Sequence, residues 1–379
     1  MKVLLIGEYS TLHTNLALGL RTLGHKVTVV SNGNVWRNYP RDIDLRREGT
    51  GKWAAVKYVA KLLTILPRLR GYDVVQLINP DFLELKAERE FAIFRYLRRN
   101  NRSIFVGAYG CDWYWVHSGI TMKLFRYGDF YIGDKMRDDI FTRRYINEFI
   151  GTAKGELSQY IDSNCDGIPT CLYEYQKCYE QFFPHKTRFL PLPIQTPEGD
   201  FSTELKEPGK VRFFIGMDSE RDVYKGTDVM NEALKIVEQK YPDRCVVVRT
   251  QRVPYDEYIK LTESCDCILD QLYSYTPATN ALLAMARGLV AVSGAEPEYY
   301  NLIGERDNHP IINVSPLVKG DIDAKLDWIV QNKHLLPELS RRSREFVEKH
   351  NDAHVVAHRH VDFYEKILKN EAGDTDNND

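Results

Sequence analysis

The sequence predicts an α/β protein of two doubly wound halves, and three observations carry that prediction. Short apolar runs of strand length alternate with helix-length amphipathic stretches along most of the chain. The alternation breaks once, in a proline-rich and then polar stretch over 193–209, and afterwards restarts. The chain has 379 residues, more than one ordinary core organises. Domains of roughly 150–200 residues suit two such halves.

The elements follow in order. Val3, Leu4, Leu5 and Ile6 form an apolar run closed by Gly7, the pattern of a strand buried on both faces. Residues 10–15 are rich in capping types and precede Leu16, Leu18, Leu20 and Leu23; Gly24 stops that helix, and 27–30 is the second strand. A helix is predicted over 53–69, a strand over 73–77, a helix over 87–99 and a strand over 103–107. Shorter runs near Phe130 and Ile161 continue the alternation. In the second half, 211–216 is a strand ending in glycine, 227–239 a helix, and 245–248 and 267–270 are strands. A helix over 278–287 closes at Gly288 before a strand over 289–292, and from Ile322 the chain is helical and charged. Strand, helix and strand this close together wind right-handed into parallel sheets. The expected boundaries are a first domain 1–192, a linker 193–209 and a second domain 210–345. Helices over 346–370 would pack back on the first domain, and 371–379 reads as a disordered acidic tail.

Composition excludes several classes. With 43% hydrophobic and 27% charged residues the chain is globular, and its net charge of −2 offers no general pull toward nucleic acid. No stretch approaches the ~20 uninterrupted apolar residues of a membrane span. The start runs straight into a strand without a signal-like region, so the expected place is the cytoplasm or the inner face of a membrane. Seven dispersed cysteines, an odd count, argue for buried thiols rather than a disulfide scaffold. Cys165, Cys171 and Cys178 lack the short spacing of a zinc site, and no metal site is predicted. Residues 53–70 mix Trp53, Val56, Leu62, Leu63 and Leu66 with Lys57, Lys61, Arg68 and Arg70. Such a stretch either makes a peripheral contact with an anionic membrane or, more commonly, keeps a charged face in water.

Several segments carry a family resemblance. Ile215-Gly216 followed by Lys225-Gly226-Thr227-Asp228 is similar to the strand, loop and Lys-Gly helix start of the group 1, or family 4, glycosyltransferases. Cys267 to Gln271, the run Ala284-Met285-Ala286-Arg287-Gly288 and then Pro297-Glu298 resemble that family's later marks. In the first half, Gly24-His25-Lys26-Val27 and Gly110-Cys111-Asp112 look like its Gly-His-x-Val and Gly-x-Asp. The resemblance implies the GT-B fold, two Rossmann-like doubly wound domains facing across a cleft. It also implies metal-independent, retaining transfer of a hexosyl unit from a nucleoside-diphosphate sugar of UDP or GDP type, with no further cofactor. The acceptor it implies is a glycan or lipid-linked glycan, in surface or capsular polysaccharide synthesis.

A sugar leaving a nucleoside diphosphate builds negative charge on the departing phosphate, which a cation or a helix start can stabilise. Lys225, beside a helix start, is the first candidate, with Arg221 in the same loop and Gly216 at the strand end; the alternative is a solvated loop lysine. Thr276, Thr279 and Asn280 open the next helix, as phosphate contacts or as plain caps. On the acceptor side Ser10, Thr11 and His13 lie in the loop after the first strand, where such sheets bind ligands, and Tyr109 and Trp113 are further acceptor-side candidates. Asp112 and His13 are the catalytic candidates. Asp112 with Trp113 would hold sugar hydroxyls and stack on an apolar sugar face, or else form a packing patch.

The sequence departs from the family at four places. Tyr109 stands where a His precedes Gly-x-Asp, Met217 where an Arg follows the strand-end Gly, and Tyr275 and Leu283 where paired glutamates fall. Either Asn280, Arg221 or Glu298 takes over their work, or the donor is unusual, or catalysis is lost. The rival readings are therefore a silent GT-B partner of an active transferase and a GT-B sugar-nucleotide epimerase. No GxGxxG follows the first strand, which argues against a dehydrogenase.

Overall fold

The computed structural model describes residues 1–34, 37–199, 201–218 and 220–375, leaving aside the side chains of 255 and 370–375. The chain divides into two compact units. The first holds Met1–Met122, Arg144–Pro193 and the chain from Ala353 onward; the second holds Lys123–Arg143 and Ile194–Asp352.

The first unit is built on five parallel strands in the spatial order Ile43–Asp44, Lys26–Ser31, Lys2–Ile6, Val74–Leu77, Ser103–Val106. Val3 sits between Val27 and Val74, and Val3, Leu4 and Leu5 are fully buried, as an apolar run without alternation requires. Helix Leu12–Thr22 follows the central strand, and the last helix, Ala353–Thr375, lies against it. A Cβ at Gly19 would stand 2.2 Å from the Ala353 carbonyl oxygen, so only glycine permits this approach. The last helix buries Ala357, Phe363, Tyr364 and Leu368 with Val3, Leu5, Leu16 and Phe105. Each large apolar side chain buried there contributes roughly 1.5–3 kcal/mol.

The second unit repeats the scheme with a different order: Cys245–Gln251, Val211–Met217, Cys267–Leu269, Val290–Ser293, Ile312–Asn313, all parallel. Helices Thr227–Lys240 and Asp321–Gln331 cover one face, and Leu234, Val237, Leu326, Ile329 and Val330 join its core. In both sheets the strand order reverses beside the opening strand. The reversal falls between Lys2–Ile6 and Val74–Leu77 in one, and between Val211–Met217 and Cys267–Leu269 in the other. Ligands of open α/β sheets bind outside the carboxyl ends of strands at such points.

Five expectations are corrected. The run near Phe130 is not a sheet strand: Tyr131–Ile132 pairs antiparallel with Lys135–Met136, and the surrounding segment folds with the second unit. Ile161 is a buried residue of helix Ala153–Asn164, because its apolar neighbours recur at helical spacing. The 193–209 stretch is no free tether: Ile194 pairs with Asp352, Gly288 leaves room for the Phe201 ring, and Leu205 packs on the second core. The tail expected at 371–379 is helical as far as Thr375, and 376–379 lie outside the described residues. The second domain also runs to Asp352 rather than 345, since helix Leu336–His350 belongs to it.

Candidate functional site

At the reversal point of the second sheet, the strand Val211–Met217 leads through a short helix, Asp222–Lys225, to Gly226 at φ +79° and then to helix Thr227–Lys240. Gly226 is needed here, because a Cβ would meet Leu272 at 2.6 Å. The tight turn aims Lys225 back across the sheet end, where its Nζ lies 3.3 Å from Asp270 Oδ1. The two side chains are 19% and 3% exposed. Asp270 follows Cys267–Leu269 directly, and its other oxygen accepts from Ala281 N at 3.4 Å, in the first turn of helix Thr279–Met285. One carboxylate thus bridges the lysine and the helix start. These are the two features named from sequence for a phosphate, and the fold brings them together.

The other donor-side candidates divide. Thr279 and Asn280 are half-buried beside this point, whereas Thr276 is buried and its carbonyl accepts from Ser274 Oγ. Gly216 is half-buried at its strand end, and Arg221 is exposed with its guanidinium 5.7 Å from the Tyr224 ring.

Next to it, residues 123–143 fold over the same sheet end. Arg137 donates to the carbonyls of Val223 and Tyr224, pairs with Asp139 and lies 4.2 Å from the Tyr273 ring centre; Tyr224 Oη donates to Asp129 at 2.6 Å. Arg126 pairs with Glu296 at 2.7 Å and with Glu298, while its backbone N–H donates to Tyr275 Oη at 2.8 Å. Tyr127, fully buried, donates to Glu296 Oε1 and packs on Tyr275. Burial pushes the Tyr275 phenol up to about 12, so the residue at the first paired-glutamate position is a neutral acceptor. Leu283, at the second, is half-buried and apolar. Glu298 is therefore held by Arg126 rather than open. Glu296 and Arg126 escaped the sequence reading. Glu296 had one signal, its place just before Pro297 at a helix start, while nothing local marks Arg126, which lies 170 residues away.

The first unit carries a cavity of about 420 Å³ at its own reversal point, with Glu8, Tyr9, Asn32, Asp81, Glu84 and Lys154 in its wall. Its polar groups are pre-paired: Asn32 donates to Glu84 at 2.6 Å, and Lys154 binds Asp81 at 2.5 Å and Glu148 at 2.6 Å. Glu8 accepts from Thr14 N at 2.8 Å, Thr14 Oγ1 at 2.6 Å and His13 N at 3.3 Å, closing the start of helix Leu12–Thr22. Burial outweighs these bonds and pushes its carboxyl up to about 7. Ser10 and Thr11 stand in this turn at φ +48° and +67°, conformations that non-glycine residues adopt at a cost of order 1–3 kcal/mol.

Three first-half expectations are corrected. His13 is fully buried: its Nδ1 donates to Gly7 O at 2.8 Å, which leaves Nε2 to accept from Gln76 at 3.2 Å. Gln76 in turn accepts from Tyr364 Oη at 2.6 Å, and burial pushes the imidazole down to about 3. Tyr109 belongs to the same interior network, donating to His360 Nε2 at 3.2 Å. Asp112 is fully buried as the N-cap of helix Trp113–Thr121, accepting from Trp115 N at 2.9 Å and from the Tyr179 hydroxyl. Burial pushes its carboxyl up to about 6. His13 and Asp112 are fully enclosed by the fold, and Tyr109 is buried to 9% exposure. Trp113 is half-buried and stacks on His117 at 4.3 Å.

Among the described residues, no group of three or more His, Cys, Asp or Glu is placed to share a metal ion, and no helix is long and apolar enough to cross a membrane. The chain is similar throughout its length to solved GT-B glycosyltransferases. Sucrose-phosphate synthase from Thermosynechococcus elongatus matches with a TM-score of 0.60 and 12% identity, over 97% of this chain and 99% of that one. Anabaena HepE, solved with UDP and glucose, matches with a TM-score of 0.59 and 10% identity, over 97% and 100%. A glycosyltransferase from Rickettsia africae matches with a TM-score of 0.53 and 11% identity, over 97% and 98%. These likenesses establish the fold as GT-B. No protein-family model matches the sequence, and no curated protein matches it.

Proposed function

We propose that this protein is a glycosyltransferase that moves a hexosyl unit from a nucleoside-diphosphate sugar to a hydroxyl of a glycan or lipid-linked glycan. The observation behind this reading is the convergence of Lys225 and the start of helix Thr279–Met285 on Asp270, at the reversal point of the second sheet. As the anomeric C–O bond to the diphosphate breaks, charge grows on the departing phosphate, and Lys225 meets it without a metal. The acceptor oxygen forms the new glycosidic bond and its proton leaves with the nucleoside diphosphate. HepE's complex with UDP and glucose supports a donor of UDP type, with GDP the other candidate. The family resemblance supports retention at the anomeric carbon and a role in surface or capsular polysaccharide synthesis. The polar cavity beside Glu8 suits the hydroxyls of an acceptor.

One observation favours a second reading, a catalytically silent partner of an active transferase. Tyr275 and Leu283 replace paired carboxylates, and Arg126 already engages Glu296 and Glu298. Thermal unfolding with UDP, GDP, CDP, ADP and their sugars separates the two. The transferase reading expects stabilisation by one nucleotide, weakened roughly tenfold or more in Lys225→Ala, since a charged hydrogen bond is worth ~1.5–3 kcal/mol. Asp270→Asn removes the competing carboxylate and tightens binding about threefold to tenfold. Stabilisation by none of the panel would remove the donor site, and binding without turnover would leave the silent partner.

A further inference from the structure

Helix Lys52–Ile65 of the first unit buries Tyr58, Leu62 and Ile65, and Leu66 and Leu69 continue that face. A helix packed on one side ordinarily turns a polar face to water. This one does not. Trp53 is 81% exposed, Val56 58% and Leu63 59%. Exposed Ala60 and Pro67 complete a row at 53, 56, 60, 63 and 67, whose spacing keeps it on one side of the helix. The row is about 21 Å long at 1.5 Å per residue.

The charges around it have one sign. Lys52, Lys57, Arg68 and Arg70 are exposed, and no acidic residue occurs from 49 to 72. Lys61 is engaged with Asp44 at 3.1 Å, and Glu48 lies just ahead of the helix. The neighbouring helix Ala87–Asn100 is tied to the end of the row by Tyr96 Oη donating to Leu66 O at 3.0 Å, and it adds exposed Arg99 one turn further on. The surface in water is therefore mixed: an apolar row runs along it, and exposed cations rim that row.

We propose that this face rests on the surface of an anionic lipid bilayer. Trp53, Val56 and Leu63 enter the boundary between headgroups and acyl chains, and Lys52, Lys57, Arg68 and Arg70 meet the anionic headgroups. A second copy of the chain would set the same cations against each other and is disfavoured by like charge. The inference is independent of donor chemistry, since none of these residues belongs to the sheet-end sites.

The test is co-sedimentation of the full chain with vesicles of phosphatidylcholine alone and of phosphatidylcholine mixed with phosphatidylglycerol. Binding is expected only to the anionic vesicles, and added salt should weaken it. Trp53→Ser/Val56→Ser/Leu63→Ser should lower binding roughly tenfold or more, and Lys52→Gln/Lys57→Gln should also lower it, with melting temperature unchanged in both. Equal binding to both vesicle types, no binding, or full binding by the triple variant would overturn the proposal. So would a dimer in sedimentation that the triple variant dissolves, which would assign the face to a second copy.

Discussion

Each sheet opens with an apolar strand that has a glycine at or beside its end and turns toward a helix, yet the two turns place different groups there. In the first, Gly7 has φ +89°, and a Cβ there would stand 2.2 Å from Ile78 Cγ2. The chain then reverses so sharply that Glu8 reaches the N–H groups of His13 and Thr14. The helix start is filled by a carboxyl group from its own turn, which accepts these N–H bonds. In the second, Gly216 is outside the positive-φ region, and a Cβ would make ordinary contact with the Tyr258 ring at 3.4 Å. That turn is longer and ends at Gly226 with Lys225 aimed at the sheet end. One turn fills its helix start with its own carboxyl, which burial pushes up to about 7; the other presents a cation shared with one buried carboxylate.

The sharpest break in this comparison would come from the glycines. Gly7→Ala should destabilise the protein by about 3 kcal/mol or more through overpacking and a strained φ, whereas Gly216→Ala should stay within about 1 kcal/mol. Urea unfolding of both variants decides it, and equal costs would mean that the two turns are alike.

A second effect, of roughly 3 kcal/mol at most, sits on Glu8. Its folded value near 7 lies above the unfolded 4.5, so folding holds its proton more tightly. That stability is full below about 4.5 and is lost as pH rises through 7. Glu8→Gln keeps an acceptor for Thr14 without titrating, so its melting temperature should gain on the native protein steadily from pH 5 to pH 8. A constant gap would show the carboxyl ionising well below 7. The buried histidines work in the other direction: His13, near 3, and His360, near 4, must stay neutral, so their contribution is present above 6.5 and is lost on acidification.

The smallest effect belongs to the turn itself. Ser10→Gly should stabilise the first unit by about 0.5 kcal/mol, the relief of a φ of +48° partly offset by glycine's freedom in the unfolded chain. A loss of stability would show that the Ser10 side chain holds the turn.

Much of the fold was legible because the deciding signals are local. Val3 to Ile6 and Val290 to Val292 declare buried strands by having no polar alternation. Glycines such as Gly24 and Gly226 mark turns that other residues reach only with strain. Of the site, the Lys225 loop and the helix start after Thr276 were legible for the same reason. The burial of His13, Tyr109 and Asp112 was not legible, because a polar residue in a sheet-end loop looks the same whether it faces water or a buried partner. Gln76, Tyr364 and Tyr179 supply those partners from distant parts of the chain.

The sequence by itself determined two α/β halves, their strands and a cation beside a helix start, since these follow from periodicity and turn chemistry within a few residues. Only the tertiary structure decided that residues 123–143 fold with the second unit, that Arg126 meets Glu296 and Glu298, and that Trp53 points to water. Each of those depends on which surfaces close over which, and burial of a polar or apolar side chain is a property of its neighbours in space rather than in the chain.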